Sequence, residues 1–142
     1  MPDRRIATAF PGLKSVGFRV TSPLEIDYNC VAWAADDTTR CWWPDARHYW
    51  PPGLPKEDTL DAMERGFELF GYTRCAEANF EPGFEKVAFF ADADGRPKHA
   101  ARQLPNGMWT SKLGGWEDIE HELHGLSGVH YGRVARLMKR PR

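Results

Sequence analysis

Apolar and polar positions repeat along this chain with two different periods. From Glu57 to Phe70, Leu60, Met63, Phe67 and Phe70 recur at 3-4-3 spacing, the signature of one helical face. Glu57 and Asp58 sit at the positive N-terminal end of that helix, and Gly71 ends it. The stripe reads as core packing rather than a cofactor surface. A shorter helix is expected over the Ala-rich Cys30–Ala35, capped by Asn29 or Asp27; either cap puts Cys30 in its first turn. Lys86–Ala91 (KVAFFA) reads as a buried strand, followed by strands over His99–Leu104 and Met108–Leu113. A short helix over Glu117–Leu123 and a last strand over Arg133–Met138 complete the pattern. Residues 1–22 form a poorly patterned N-terminal arm with a turn at Phe10-Pro11-Gly12, and residues 1–142 one domain. Two helices followed mostly by strands predict an α+β fold, helices packed on one face of a small antiparallel sheet.

Pro105-Asn106-Gly107 suits a three-residue hairpin loop, with proline first in a type I turn and glycine left-handed. That loop sets Leu104 opposite Met108, Ala101 opposite Ser111 and His99 opposite Leu113. His99, Ala101, Gln103, Trp109 and Ser111 then share one face, and Ser111 is a diagonal neighbour of His99. A two-residue Asn-Gly turn would instead shift the register by one and send Ser111 to the other face.

Composition narrows the function. Nineteen basic residues against 20 acidic ones in a chain of 142 lack the basic excess of a nucleic-acid binder. No apolar run approaches the ~20 residues of a membrane span, and the charged start, Met1-Pro2-Asp3-Arg4-Arg5, leads into no signal-peptide core. A cytoplasmic protein is expected. The odd set Cys30, Cys41 and Cys75 contains no CxxC, which favours free thiols over a disulfide framework or a zinc knuckle. His121 and His124 lie three apart on the expected helix but lack an evident third ligand, so they read as solvated surface histidines; neither metal nor cofactor is expected. Trp42, Trp43, Tyr49 and Trp50 fall within the proline-rich stretch Cys41–Pro55, an ordered loop that either roofs a cleft or plugs the core.

The chemistry concentrates on Cys30 and His99. A cysteine in the first turn of a helix feels the positive end of the macrodipole and unpaired N–H groups, which favour thiolate and lower its pKa. Those N–H groups can also hold an oxyanion. His99 opens a strand just after a turn, and Ser111 is placed to fix the imidazole in one orientation, as a third triad member does.

At these residues the chain resembles the papain-like cysteine peptidases, and within them the compact NlpC-type peptidases and acyltransferases. A helix-start cysteine is followed by an apolar strand (KVAFF), a strand headed by histidine, and a polar residue in the strand after it. The resemblance implies a papain-like (NlpC-type) fold, with a nucleophile helix and a second helix on a small antiparallel sheet. It also implies a Cys30–His99–Ser111 catalytic set acting on an amide, isopeptide or ester. Tyr28, Asn29, Trp43, Trp50 and Trp109 would line the oxyanion and substrate side. The alternative is an inactive papain-like module serving as a protein-binding or immunity-type domain, so the partner is a peptide, amide or ester substrate or another protein. Asn29-Cys30-Val31 replaces the group's usual Asp-Cys-Ser, and Ser111 its usual His, Asn or Gln. Closer still, the chain resembles an uncharacterised bacterial family built on YNCVAWA, CWWPD, YWPPG, EPGFEKVAFF, HAARQL, WTSKLG and EDIEHEL.

Overall fold

Seven antiparallel strands, hydrogen-bonded side by side, organise the chain in the computed structural model, which describes residues 2–142. They are β1 (Phe18–Val20), β2 (Thr73–Cys75), β3 (Phe84–Ala91), β4 (Pro97–Gln103), β5 (Trp109–Lys112), β6 (Asp118–His121) and β7 (Arg133–Pro141). Their order across the sheet is β1-β6-β5-β4-β3-β7-β2. The helices are short: α1 (Pro2–Ala9), α2 (Gly12–Val16), α3 (Cys30–Ala34), α4 (Leu60–Glu68) and a 3₁₀ turn at Leu123–Leu126. The expected papain-like arrangement, two helices on a small sheet, is therefore wrong; this is a sheet-dominated fold.

Two local misreadings account for much of the difference. Residues 118–121 form β6 rather than a helix, pairing with β5 from Trp109↔His121 to Lys112↔Asp118. Four residues are too few for periodicity to decide, and pairing across the Gly114-Gly115 turn overrides the helical preference of an acidic run. The three-residue strands β1 and β2 give no pattern of their own. They exist because β6 and β7 offer unpaired edges, at Phe18↔His121 and Thr73↔Lys139 for example.

Both faces of the sheet centre are covered, which is why β3 reads as a continuous apolar run. Val87, Phe89 and Ala91 face one core with Ala100 and Met138, beneath α3, α4 and the Trp-rich loop. Ala88 and Phe90 face a second core with Ala101, Trp109 and Ile119, beneath Ile6, Phe10 and Leu13 of the N-terminal segment and Leu123 and Leu126 of the 3₁₀ turn. Phe89 and Phe90 are fully buried on opposite sides, each burial contributing roughly 1.5–3 kcal/mol. No helix among the described residues is long and apolar enough to cross a membrane.

Thr59 caps α4, its hydroxyl accepting the Ala62 N–H at 3.1 Å; the helix therefore begins three residues later than the charge pattern suggests. On its inner face Gly66 lies against Trp50, and a Cβ there would overlap the indole ring. Glycine-to-alanine in a helix ordinarily stabilises by about 1 kcal/mol. Here Gly66→Ala is expected to destabilise by about 1–3 kcal/mol, because a large buried ring must move. Urea unfolding of the two proteins would read the sign directly.

Candidate active site

Asn29 anchors the start of α3. Its Oδ1 accepts the N–H groups of Ala32 (3.1 Å) and Trp42 (3.0 Å), while its Nδ2 donates to the Trp42 carbonyl at 2.7 Å. One side chain thus caps the helix and ties the Trp-rich loop to it. This work leaves Asn29 structural rather than free to bind an oxyanion. Tyr28 is likewise engaged, donating its hydroxyl to Asp118 Oδ2 at 2.8 Å; burial and the Asp118 carboxylate push its pKa up to about 12. Trp50 and Trp109 are buried in opposite cores, and half-buried Trp43 donates to Asp58 at 3.0 Å. The loop plugs the core around Trp42, Tyr49 and Trp50. Of these five, Tyr28, Asn29 and Trp43 have their polar groups engaged, while the buried Trp50 Nε1 has no hydrogen-bond partner.

The hairpin register holds where β4 and β5 pair, at Arg102↔Thr110 and Gln103↔Trp109, and Leu104 N–H reaches the Met108 carbonyl at 2.7 Å. The ladder stops there. The expected pairs Ala101–Ser111 and His99–Leu113 lie beyond its end, where the strands part. Ala100 N–H, which the register would direct at Lys112, instead faces the Cys30 thiol.

On the far face, His99 Nε2 lies 2.9 Å from Ser111 Oγ, as expected from the face they share. The chain of contacts continues: Ser111 Oγ is 2.7 Å from His121 Nε2, and His121 Nδ1 is 2.7 Å from the Glu122 carbonyl. His99, Ser111 and His121 are all fully buried. Sequence reasoning missed His121 by reading it on a solvated helix; its alternation with Ile119 was the available signal. His124 is exposed in the 3₁₀ turn. Among the described residues no group of three or more His, Cys, Asp or Glu side chains is placed to hold a metal ion.

Proton positions along this chain follow from what each atom can do. Burial lowers the pKa of His99 well below its ordinary value, with the neighbouring His121 adding to the effect. Burial lowers His121 to about 4. Both rings are therefore neutral at pH 7. The Glu122 carbonyl can only accept, so His121 carries its proton on Nδ1 and its Nε2 accepts from Ser111. The Ser111 oxygen then accepts from His99 Nε2–H. That leaves a lone pair on His99 Nδ1, a buried atom with no hydrogen-bond partner. Tyr131 stacks on the same ring, centroids 4.0 Å apart and planes 8° from parallel.

Cys30 and His99 lie on opposite faces of the sheet. Cys30 packs in the core of Ala100, whereas His99 lies edge-on to Phe90 of the other core. No hydrogen bond joins them among the described residues. Burial pushes the Cys30 thiol up to about 11, against the opposing pull of the Ala100, Val31 and Cys30 N–H groups and of Lys112. The expected lowering by the helix start does not prevail; α3 has only five residues, and desolvation outweighs it. The resting pair is thiol and neutral imidazole.

The chain belongs to the family described as Domain of unknown function (DUF7689), which matches residues 19–139. No curated protein and no solved structure matches it.

The two buried histidines make stability depend on pH. The unfolded chain takes up protons near pH 6.5 while the folded His121 resists until about pH 4. Stability is therefore full above about pH 6.5 and falls as the pH drops from there toward 4, by on the order of 3 kcal/mol for His121 alone. Thermal melts from pH 7 to 4 would show the decline, and His121→Gln, which cannot charge, should flatten it.

Proposed function

We propose that this chain is a thiol-dependent hydrolase or acyltransferase acting on an amide, isopeptide or ester carbonyl. Cys30 is the nucleophile, His99 the general base and Ser111 the residue that orients it. The observation that carries this reading is the His99 Nδ1 lone pair: buried, without a partner, and fixed in its tautomer by Ser111 and His121. An unused base of this kind costs stability. Its ring hangs from the residue just before the N–H that meets the Cys30 thiol. The residue order of NlpC-type peptidases supports the same assignment of roles, independently of their fold.

On this reading the Cys30 S–H proton passes to His99 Nδ1 and the resulting thiolate attacks the carbonyl carbon. The tetrahedral oxyanion is held by backbone N–H groups at the start of α3. As the carbonyl re-forms, the bond to the leaving amine or alcohol breaks and His99 Nδ1–H protonates that group, leaving a thioester. Water or an acceptor nucleophile, deprotonated by His99, then releases the acyl group and the thiol. Tyr131 covers the imidazole and must turn aside for substrate. The other side of Tyr131 borders a cavity of about 180 Å³ lined also by Ala9, Phe10, Leu113, Trp116 and His130. The three unpaired cysteines support a reducing, cytoplasmic setting.

One observation favours a second reading, a non-catalytic protein-binding or immunity-type module. Cys30 is only 6% exposed and His99 is 0% exposed, so the pair is closed to substrate at rest. A small activated ester such as p-nitrophenyl acetate separates the two. The enzyme reading expects acetylation at Cys30, located by peptide mass spectrometry, ahead of Cys41 and Cys75. His99→Ala should slow it at least about a hundredfold. Equal, slow acetylation of all three thiols would overturn the enzyme reading.

A further inference from the structure

We propose that Lys112 is a positioning residue of this thiol site, holding the approach to α3 in place and stabilising negative charge as it forms on the Cys30 sulfur. The inference rests on the nucleophilic role proposed above for Cys30. Lys112 projects from β5 to the face that carries α3, where Trp33 of that helix donates to Thr110, two residues before Lys112, at 2.9 Å. Its side chain is fully buried. A lysine is almost never fully buried unless its charge is paired, and Lys112, unlike the equally buried Lys86, makes no salt bridge among the described residues.

The ammonium donates to three backbone carbonyls: Glu25, Gly114 at 2.7 Å and Trp116 at 2.6 Å. Its nitrogen also stands 5.0 Å from the centre of the Tyr28 ring. The carbonyls come from two segments: residue 25, which leads into α3, and residues 114–116, which form the β5–β6 turn. Lys112 therefore clasps the entry to the nucleophile helix onto the sheet. All three N–H donors are used, so none is left to touch substrate. What remains available to the thiol is the charge, in surroundings too dry for water to screen it.

The charges that act on Lys112 are those of Asp118 on β6 and Glu25 on the approach segment, and of Cys41 in the Trp-rich loop and Cys30 when they ionise; Tyr28 meets it with its ring. Asp118 is the one buried carboxylate among them, and its Oδ1 has no hydrogen-bond partner. It therefore offsets part of the field that Lys112 exerts on the sulfur. In the step concerned, the Cys30 proton moves to His99 Nδ1 while Lys112 keeps all of its own. The ammonium changes the energy of the thiolate and takes no part in the proton transfer.

The test follows the rate of iodoacetamide alkylation of Cys30 against pH in the full chain, with sites assigned by mass spectrometry and folding checked by circular dichroism. Lys112→Met is expected to move the Cys30 profile at least about one pH unit upward, about tenfold slower alkylation on its acid limb. Lys112→Arg, which keeps the charge, should recover part of that shift. Asp118→Asn should move the profile the other way, and it carries the test if Lys112→Met does not fold. A merely structural lysine would alter melting temperature in these variants and leave the profile where it was. That result, with Cys30 still selectively alkylated and dependent on His99, overturns the role of Lys112 alone. Wild-type Cys30 that reacts no faster than Cys41 and Cys75 at any pH overturns the nucleophile and Lys112 together.

Discussion

The pairing of β4 with β5 ends at Arg102↔Thr110 although both strands run on, and the arrangement of polar groups at the sheet centre depends on that early ending. A sheet covered on both faces separates neighbours along a strand: His99 goes to one core and Ala100 to the other. Had the ladder continued, the Ala100 N–H would have been spent on β5. The parting of the strands makes a seam in the sheet and leaves that N–H to the Cys30 thiol on one face. On the other face Ser111 Oγ stands 2.9 Å from His99, so a side-chain contact replaces the lost backbone ladder.

Two buried polar networks meet there, one on each face. Below, neutral donors and acceptors run from Glu122 through His121 and Ser111 to His99, and each link is satisfied up to the last nitrogen. Above, Asn29, Tyr28, Asp118 and Lys112 tie the helix entry, the Trp-rich loop and the β5–β6 turn to one another. Unmade hydrogen bonds in such surroundings cost about 1–3 kcal/mol each. The networks therefore fix a single geometry around the seam. Hydrophobic burial alone, shared between two cores, would specify it less sharply.

Much of this was legible before any coordinates. The Pro105-Asn106-Gly107 loop set the register, and the register set Ser111 beside His99; a turn's local chemistry decides which face a side chain occupies several residues away. The cap at Asn29 and the Leu60, Met63 and Phe67 positions of the α4 stripe were equally local, whereas Phe70 lies past the end of the helix and is exposed. The layers were not. Nothing in FRV or TRC announces an edge strand, because those residues pair only where β6 and β7 leave edges open. The Glu117–Leu123 run carries helical residues but forms a strand, since its pairing partner is supplied by the hairpin turn. His121 was lost with that error. The thiol was misjudged for a different reason: the helix-start argument counts charges and dipoles near the sulfur, while its desolvation depends on the whole surrounding core.

That desolvation bears on the order of events in the proposed reaction. A thiol held up to about 11 and an imidazole held well below its ordinary value do not rest as an ion pair, because charge separation in a dry site is unfavourable. The same buried groups, once a carbonyl carbon stands against the sulfur, need carry charge only as bonding to that carbon develops. Proton transfer and attack are thereby tied together, and an unoccupied site stores no reactive thiolate. Tyr131, stacked over His99, enforces the same order sterically: the imidazole face is uncovered only when the ring yields its place. On the proposed reading, such a site admits only electrophiles small enough to reach the buried sulfur, or a substrate able to displace Tyr131.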